Sequence, residues 1–181
     1  PQGSPSIPDP SRPLRVTWSW PGFHAQKRPR EAVVHAPMID IDHSVTIDRP
    51  LEEVWEFVAD PANNPQWQSG VTQSDQSPTG PIGVGTRVRI VRKFMGQRVE
   101  AVFDTTEFVA NEKFAFKSLS GPLSVSGSMA LETTAAGTEL TYRGSGQATG
   151  VLGLGETIIA GLINRQVADD LRTLKTLLES G

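Results

Sequence analysis

The chain has 181 residues, of which 37% are hydrophobic and 20% are charged, and its formal net charge is −3. This length suits one ordinary domain with a buried core, or one domain and a tail. The absence of cysteine excludes disulfides, thiolate catalysis and Cys-based metal sites, and no segment approaches the ~20 apolar residues that cross a membrane.

The composition of the chain changes at Met38, both in charge and in proline content. Residues 1–37 hold five basic and two acidic residues and eight of the 14 prolines. Proline fixes φ and removes a backbone donor, so we predict a disordered basic extension there. We expect the natural start of the protein at or near Met38, with residues 1–37 as an upstream extension. The run KRPR at 27–30 is either a nucleic-acid patch or, more simply, part of a solvated tail.

The remaining residues, 38–181, hold 12 basic and 18 acidic side chains, and we predict one globular domain over this range. An acidic body argues against a nucleic-acid partner, because binding to a phosphate backbone depends on Lys and Arg. The lack of cysteine fits a cytoplasmic protein.

The domain opens with a predicted strand and two short helices. Apolar residues alternate over 39–47, which indicates a half-buried strand. We expect Pro50 as the first residue of a helix whose apolar stripe includes Val54 and Trp55. Asp60 is expected to cap a second short helix that ends at about Trp67.

Strands and a final helix follow. Apolar residues alternate around Val88, from Val99 to Phe103, around Phe114, from Val125 to Leu131 and around Leu140, with turns between them. Residues 156–178 contain no proline and carry apolar residues at spacings of three and four, which predicts a long amphipathic helix. The order is strand, two helices, six strands and long helix, where five of the six strands are those named above. This predicts an α+β domain whose last helix packs on an antiparallel sheet.

Several segments carry a family resemblance when taken in this order: IDHSVTIDRP at 41–50, EVWEFV at 53–58, DPANNPQW at 60–67 and PIGVGTR at 81–87. Together they resemble the SRPBCC superfamily (START-like or Bet v 1-like), in its polyketide cyclase/dehydratase-type branch, over essentially all of 38–181. The resemblance implies a helix-grip fold, in which a curved antiparallel sheet wraps around a long C-terminal helix. It also implies a cavity that, in this superfamily, typically holds lipids, sterols, polyketides or other apolar ligands.

Twelve side chains are the candidate ligand-binding residues: they lie on the expected inner face of the strands, on the two short helices, or on the side of the last helix that should oppose the strands. Val125 shares the parity of the strand residues. Any one of them is explained by ordinary core packing, but as a set they match the apolar and aromatic lining of a pocket. Structural anchoring is the favoured alternative for Trp55 and an equal one for Trp67. The candidates are Trp55, Trp67, Val88, Ile90, Phe103, Phe114, Phe116, Met129, Tyr142, Ile159, Ile163 and Val167.

A few polar residues on the strands are candidates for chemistry. A buried carboxylate or tyrosine can move protons on a ligand carbonyl, as a cyclase or dehydratase requires. The catalytic candidates on this reasoning are Tyr142, Asp104 and Arg143, and Arg92 and Glu100 can also turn inward. A solvated strand face explains most of these charged residues more simply.

Metal and nucleotide sites are not expected. His43 is the only histidine of the domain, whereas a metal site needs several ligands at suitable spacing. The glycine-rich residues 150–155 lack the Lys-Ser/Thr ending of a phosphate loop, so we interpret them as a hinge into the last helix. Their apolar residues either gate the cavity or form an ordinary loop packed on the core. We therefore expect no metal and no cofactor.

Three functions remain, and we rank them. The first is binding of an apolar small molecule without covalent chemistry, because no catalytic constellation is apparent. The second is an enzyme of the cyclase/dehydratase type. The third is a protein-partner role, as in superfamily members associated with ribosomes or respiratory quinone systems. The identity of the ligand and the oligomeric state cannot be derived from the sequence.

Overall fold

The computed structural model describes residues 39–94, 96–148 and 156–181. The extension expected over 1–37 and the hinge expected over 150–155 lie outside these ranges. In the part that the structure describes, no helix is long and apolar enough to span a membrane.

The domain consists of seven strands and three α-helices over the described residues. In chain order these are β1 (Ile39–Ile47), α1 (Leu51–Ala59), a 3₁₀ turn (Pro61–Asn63), α2 (Asn64–Trp67), β2 (Val71–Ser77), β3 (Arg87–Phe94), β4 (Gln97–Val109), β5 (Lys113–Ser120), β6 (Leu123–Thr134), β7 (Gly137–Ala148) and α3 (Glu156–Ser180). The strands form one antiparallel sheet in the order β1-β7-β6-β5-β4-β3-β2. The predicted α+β helix-grip fold is confirmed.

The start of α1 differs by one residue from the prediction. Pro50 has ψ 147°, which is extended, so it precedes the helix instead of opening it. Its carbonyl still accepts the first helical bond, from the Val54 N–H at 3.2 Å. The predicted cap at Asp60 is confirmed, because its Oδ1 accepts the Ala62 N–H at 2.9 Å.

Strand β2 is the one strand whose position the sequence patterns did not indicate. Its sequence, VTQSDQS, has no alternation of apolar side chains, and only Val71 is buried. Backbone hydrogen bonds to β3 hold it at the edge of the sheet. An edge strand of this kind leaves no hydrophobic period to detect.

Two tight turns show why particular residues connect the strands. Asn111 takes a φ of 61° between β4 and β5, a conformation that Asn tolerates better than most residues. Gly137 has φ 114°, and a Cβ there would lie 2.2 Å from the Ile47 carbonyl oxygen. Only glycine therefore lets β7 begin so close to the end of β1.

Helix α3 packs on the sheet and contributes residues to two hydrophobic clusters. The larger includes Leu140 and Leu174 together with the buried face of α1, and the smaller consists of Ile39, Ile41 and Ile159. Tyr142 and Val167 pack against both clusters. At its C-terminal end α3 is tied to β1, because Lys175 Nζ donates to the Thr46 carbonyl at 2.6 Å.

Candidate functional site

A cavity of about 240 Å³ lies between the inner face of the sheet and α3. Its wall is mostly apolar and is formed by β1, α1, α2, α3 and strands β3 to β7. Eleven of the twelve candidate ligand-binding residues, and Val125, lie on this wall. They are Trp67, Val88, Ile90, Phe103, Phe114, Phe116, Val125, Met129, Tyr142, Ile159, Ile163 and Val167.

A row of aromatic rings forms one side of the cavity. The ring centroids of Phe103 and Phe116 are 5.6 Å apart, edge to face, and those of Phe116 and Tyr142 are 6.2 Å apart. Phe116 lies opposite Gly127 in the register of β5 and β6. A Cβ at Gly127 would be 2.8 Å from Phe116 Cζ, so the ring rests directly on the glycine backbone. This arrangement keeps the ring close to the sheet and leaves the cavity open.

Trp55 is the one candidate ligand-binding residue that the structure places away from the cavity. It is buried in the larger hydrophobic cluster, with its ring centroid 5.3 Å from that of Phe108 and 6.0 Å from that of Phe114. It shares the buried face of α1 with Val54 and Val58. The apolar stripe of the helix therefore makes it a packing residue.

Asp104 and Arg143, two of the three catalytic candidates, are also absent from the cavity wall. Arg143 is exposed and pairs with Asp42, with 3.3 Å between Nε and Oδ2. Successive side chains of a strand point to opposite faces. Because Phe103 and Tyr142 face inward, their neighbours Asp104 and Arg143 face outward. Glu100 is likewise an outer-face residue, paired with Arg89.

Arg92 is the cationic residue among the described residues of the wall. It follows Val88 and Ile90 at strand parity, so β3 directs its side chain into the cavity. Among the described residues its guanidinium makes no hydrogen bond, and no carboxylate oxygen lies within 4.0 Å of it. Burial lowers the pKa of Arg92, and the charge of Asp170 opposes that shift. An arginine stays protonated under these conditions, so an unpaired cation faces an apolar space.

Asp170 of α3 lies on the cavity wall and is not among the candidates predicted from the sequence. It is 5% exposed, and its Oδ1 accepts the Ser69 N–H at 2.8 Å and Gln166 Nε2 at 3.4 Å. Burial raises the pKa of this carboxyl group, although both hydrogen bonds and the charge of Arg92 oppose the rise. A signal was present in the sequence: Asp170 follows Ile163 by seven residues and Val167 by three, so it falls on the same helix face.

Two amides extend the polar part of the wall along α2. Gln68 Nε2 donates to Asn64 Oδ1 at 3.2 Å, and Asn64 Nδ2 donates to Ser74 Oγ at 3.1 Å. Asn64 is 8% exposed. We call the five polar wall residues in this region the polar end of the cavity; they are Asn64, Gln68, Arg92, Gln166 and Asp170.

Tyr142 is the catalytic candidate that does line the cavity. Burial raises its pKa to about 12. Its hydroxyl makes no hydrogen bond to the described residues. His43, its register partner on β1, is not on the wall, and its Nε2 is buried without a hydrogen-bond partner in the described part of the chain.

These features define a helix-grip domain with a mostly apolar cavity and a charged polar end. A family model described as polyketide cyclase / dehydrase and lipid transport matches residues 38–179. The chain belongs to this family, the polyketide cyclase/dehydrase branch of the SRPBCC superfamily. No curated protein matches it.

Solved structures show the same fold at low sequence identity. The Zhui aromatase/cyclase from Streptomyces sp. R1128 is 18% identical, with a TM-score of 0.65 over 79% of this chain and 94% of that one. TTHA0849 from Thermus thermophilus is 20% identical, with a TM-score of 0.66 over 80% of this chain and 98% of that one. Ara h 8.0201 is 12% identical, with a TM-score of 0.62 over 80% of this chain and 100% of that one. At such identities the likeness extends to the fold and not to the activity.

Proposed function

We propose that this protein binds a hydrophobic small molecule, such as a lipid or polyketide, in the cavity between the sheet and α3. The observation that carries the proposal is the cavity itself, apolar over most of its wall and about 240 Å³ in volume. Protein interiors are close-packed, with few voids larger than a water molecule. A space of this size exceeds the ~30 Å³ share of one water several times, and an apolar wall gives water few partners.

Binding without chemistry is the first candidate function, and turnover of the ligand is the second. The second is favoured by three wall residues that can act on a carbonyl compound. Arg92 polarises a carbonyl oxygen, Asp170 exchanges a proton with the ligand, and Tyr142 donates a hydrogen bond from its neutral phenol. The family description and the name of the Zhui aromatase/cyclase support this function by analogy.

Native mass spectrometry of the full chain, followed by organic extraction, tests the binding proposal. We expect one apolar molecule per protein chain. The extracted molecule, or a matching panel of lipids and polyketides, is then added back and followed by thermal shift and isothermal titration calorimetry. An empty protein with no thermal shift across the panel would overturn the proposal.

A pair of variants ties any binding to the cavity. Ala101 lies on the cavity wall, so Ala101→Leu adds a larger side chain there. Ala115 lies in β5 between Phe114 and Phe116; because these two face the cavity, Ala115 points to the opposite face and is not on the wall. Ala101→Leu should weaken binding, and Ala115→Leu should leave it unchanged. Incubation of the bound ligand with wild type and Tyr142→Phe distinguishes turnover from simple binding. Mass analysis detects a product that has lost water, and chromatography separates a ring-closed isomer of unchanged mass.

A further inference from the structure

Helix α3 carries a second regular stripe of residues on the side that points to solvent. Six exposed residues recur there at alternating spacings of four and three, which is the a/d spacing of a coiled coil. They are Ile158, Leu162, Arg165, Asp169, Arg172 and Thr176. The buried stripe of the same helix, which includes Ile159, Leu171 and Leu174, packs on the sheet and the cavity instead. We call the six exposed residues the outer stripe.

The N-terminal end of the outer stripe is apolar. Ile158 is 57% exposed and Leu162 is 40% exposed, and they lie one turn apart. One exposed apolar side chain needs no explanation, whereas two neighbours on the same helix face form a small patch that a partner can cover.

The middle of the outer stripe is charged. Asp169 pairs with Arg172, and both side chains are largely exposed. Arg165 makes no ion pair or hydrogen bond to the described residues. Its exposed guanidinium is therefore available to a carboxylate from outside the domain.

The order of these charges distinguishes the two ways in which the stripe can pair with a copy of itself. A parallel pairing places Arg165 against Arg165 and Asp169 against Asp169, which is repulsive. An antiparallel pairing centred midway between the two residues brings Arg165 of each copy to Asp169 of the other. A two-fold axis then produces two identical ion pairs. In the same register Leu162 lies opposite Arg172, whose aliphatic stem covers apolar surface.

A groove beside the C-terminal end of the stripe fits the apolar end of the second copy. It lies between α2 and α3 and is lined by Gln66, Arg172, Thr176 and Leu177, among others. Leu177 is half-buried and packs against the larger hydrophobic cluster, so it gives the groove an apolar side chain. In the antiparallel register Ile158 of one copy lies opposite Thr176 of the other, at this groove.

We propose that the outer stripe of α3 pairs antiparallel with the same stripe of a second copy of this chain, forming a two-fold symmetric dimer. Arg165 and Asp169 form the central ion pairs, and Ile158 and Leu162 enter the groove of the other copy. The cavity lies on the opposite side of α3, so the inference is independent of the proposed function. One helix pair buries less than the ~1,200–2,000 Å² of stable complexes, so we expect a dissociation constant on the order of tens of micromolar.

Sedimentation velocity of the full chain, from low micromolar to near millimolar concentration, tests the proposal together with charge variants. Arg165→Asp places like charges at both central contacts and should weaken the dimer at least about tenfold. Combining it with Asp169→Arg reverses both partners and should restore the wild-type dissociation constant to within about threefold. Arg87→Asp makes the same change in net charge at an exposed position on the outer face of β3 and should have no effect.

Each alternative result overturns the inference. A monomer over the whole concentration range excludes the dimer. A dimer that Arg165→Asp leaves unchanged uses another surface. A double variant that is folded by circular dichroism and still fails to associate shows that Arg165 and Asp169 do not pair.

The absence of cysteine from the chain permits a separate test of the register. Ile158→Cys and Thr176→Cys in one chain place two thiols about 27 Å apart along their own helix, too far for an internal disulfide. The antiparallel register brings each thiol to its counterpart in the other copy, so mild oxidation should give a covalent dimer. Either single variant should give much less. Equal cross-linking of the single and double variants would overturn the antiparallel register.

Discussion

Ser69 donates its backbone N–H to Oδ1 of Asp170 across 2.8 Å, joining two residues that are 101 positions apart in the chain. The bond attaches the turn after α2 to the middle of α3. Gln166, one turn earlier on α3, donates to the Ser69 carbonyl at 3.4 Å and supports the same contact. The position of the turn at Ser69 therefore depends on the Asp170 carboxylate, which also faces the cavity.

Replacing Asp170 should separate its structural role from its charge. Asp170→Ala leaves the Ser69 N–H without its acceptor, and we expect a loss of about 1–3 kcal/mol in the free energy of unfolding. Asp170→Asn keeps an acceptor oxygen and should lose less. Urea denaturation of the two variants beside wild type gives the comparison, and equal losses would show that the bond to Ser69 contributes little.

The pH dependence of stability should also report on Asp170. Burial raises its pKa in the folded protein, so the folded state holds this proton more tightly than the unfolded chain does. The contribution of Asp170 is fully present below the unfolded value of about 3.9 and is lost as the pH rises through the folded pKa. The stability of wild type relative to Asp170→Asn should therefore fall with rising pH.

Glu179 provides a control for which the expected pH dependence of stability has the opposite sign. Its Oε1 accepts the Asp48 N–H at 2.8 Å and Lys175 Nζ at 2.6 Å, and these bonds lower its pKa. Its contribution is present above the unfolded pKa and is lost as the pH falls through the folded one. Wild type relative to Glu179→Gln should thus gain stability with rising pH. The same slope for both residues would contradict the assigned shifts.

Tyr142 can be titrated directly, because it is the only tyrosine of the chain. Burial raises its pKa to about 12, whereas an exposed tyrosine titrates near 10. An ultraviolet absorbance titration of the phenolate should place the midpoint near 12 in the folded protein and near 10 in urea. Its stabilising contribution is present below about pH 10 and is lost as the pH rises through the folded value. A midpoint near 10 in the folded state would place the ring in contact with solvent.

The glycine beneath Phe116 should determine the size of the cavity. Gly127→Ala brings a Cβ within 2.8 Å of Phe116 Cζ and forces the ring towards the cavity. We expect overpacking to lower the free energy of unfolding by about 1–3 kcal/mol. Relative to wild type, the affinity for bulky ligands should fall more than the affinity for slender ones. Denaturation and calorimetry with ligands of graded width measure the two effects.

Gly161→Ala is the matched control for that substitution. A Cβ at Gly161, in α3, meets nothing within 4 Å. Alanine should raise stability by about 0.5–1 kcal/mol through helix propensity and leave binding unchanged. Weaker binding in this variant would mean that the effect of Gly127→Ala is not specific to the aromatic row.

The two tryptophans of the domain should respond differently to substitution by phenylalanine. Trp55 is buried in the core, away from the cavity, so Trp55→Phe should lower stability and leave ligand affinity unchanged. Trp67 lies on the cavity wall, so Trp67→Phe should alter ligand affinity as well. Thermal denaturation and calorimetry of both variants provide the test; a change in affinity in Trp55→Phe would place that ring in the binding site.

Much of the cavity wall followed from strand parity alone. Phe103, Phe116 and Tyr142 each alternate with a charged residue on at least one side, and a period of two assigns each to the inner face of its strand whatever the partner strand is. The same rule excludes Asp104 and Arg143, which makes them unsuitable as catalytic candidates once their neighbours are assigned inward. Arg92 shares the parity of Val88 and Ile90, and only its charge argued for the outer face.

The sequence by itself determined the order of the elements other than β2, the apolar face of most strands and the apolar stripe of α3, because these are local periodicities of the backbone. Only the tertiary structure decided which polar groups share the cavity. Asp170 meets the turn at Ser69, and Arg92 faces the same space from β3, through contacts between segments distant in the chain. Trp55 and Trp67 carry the same side chain on neighbouring helices, yet the packing of each helix on the sheet directs one into the core and the other to the cavity.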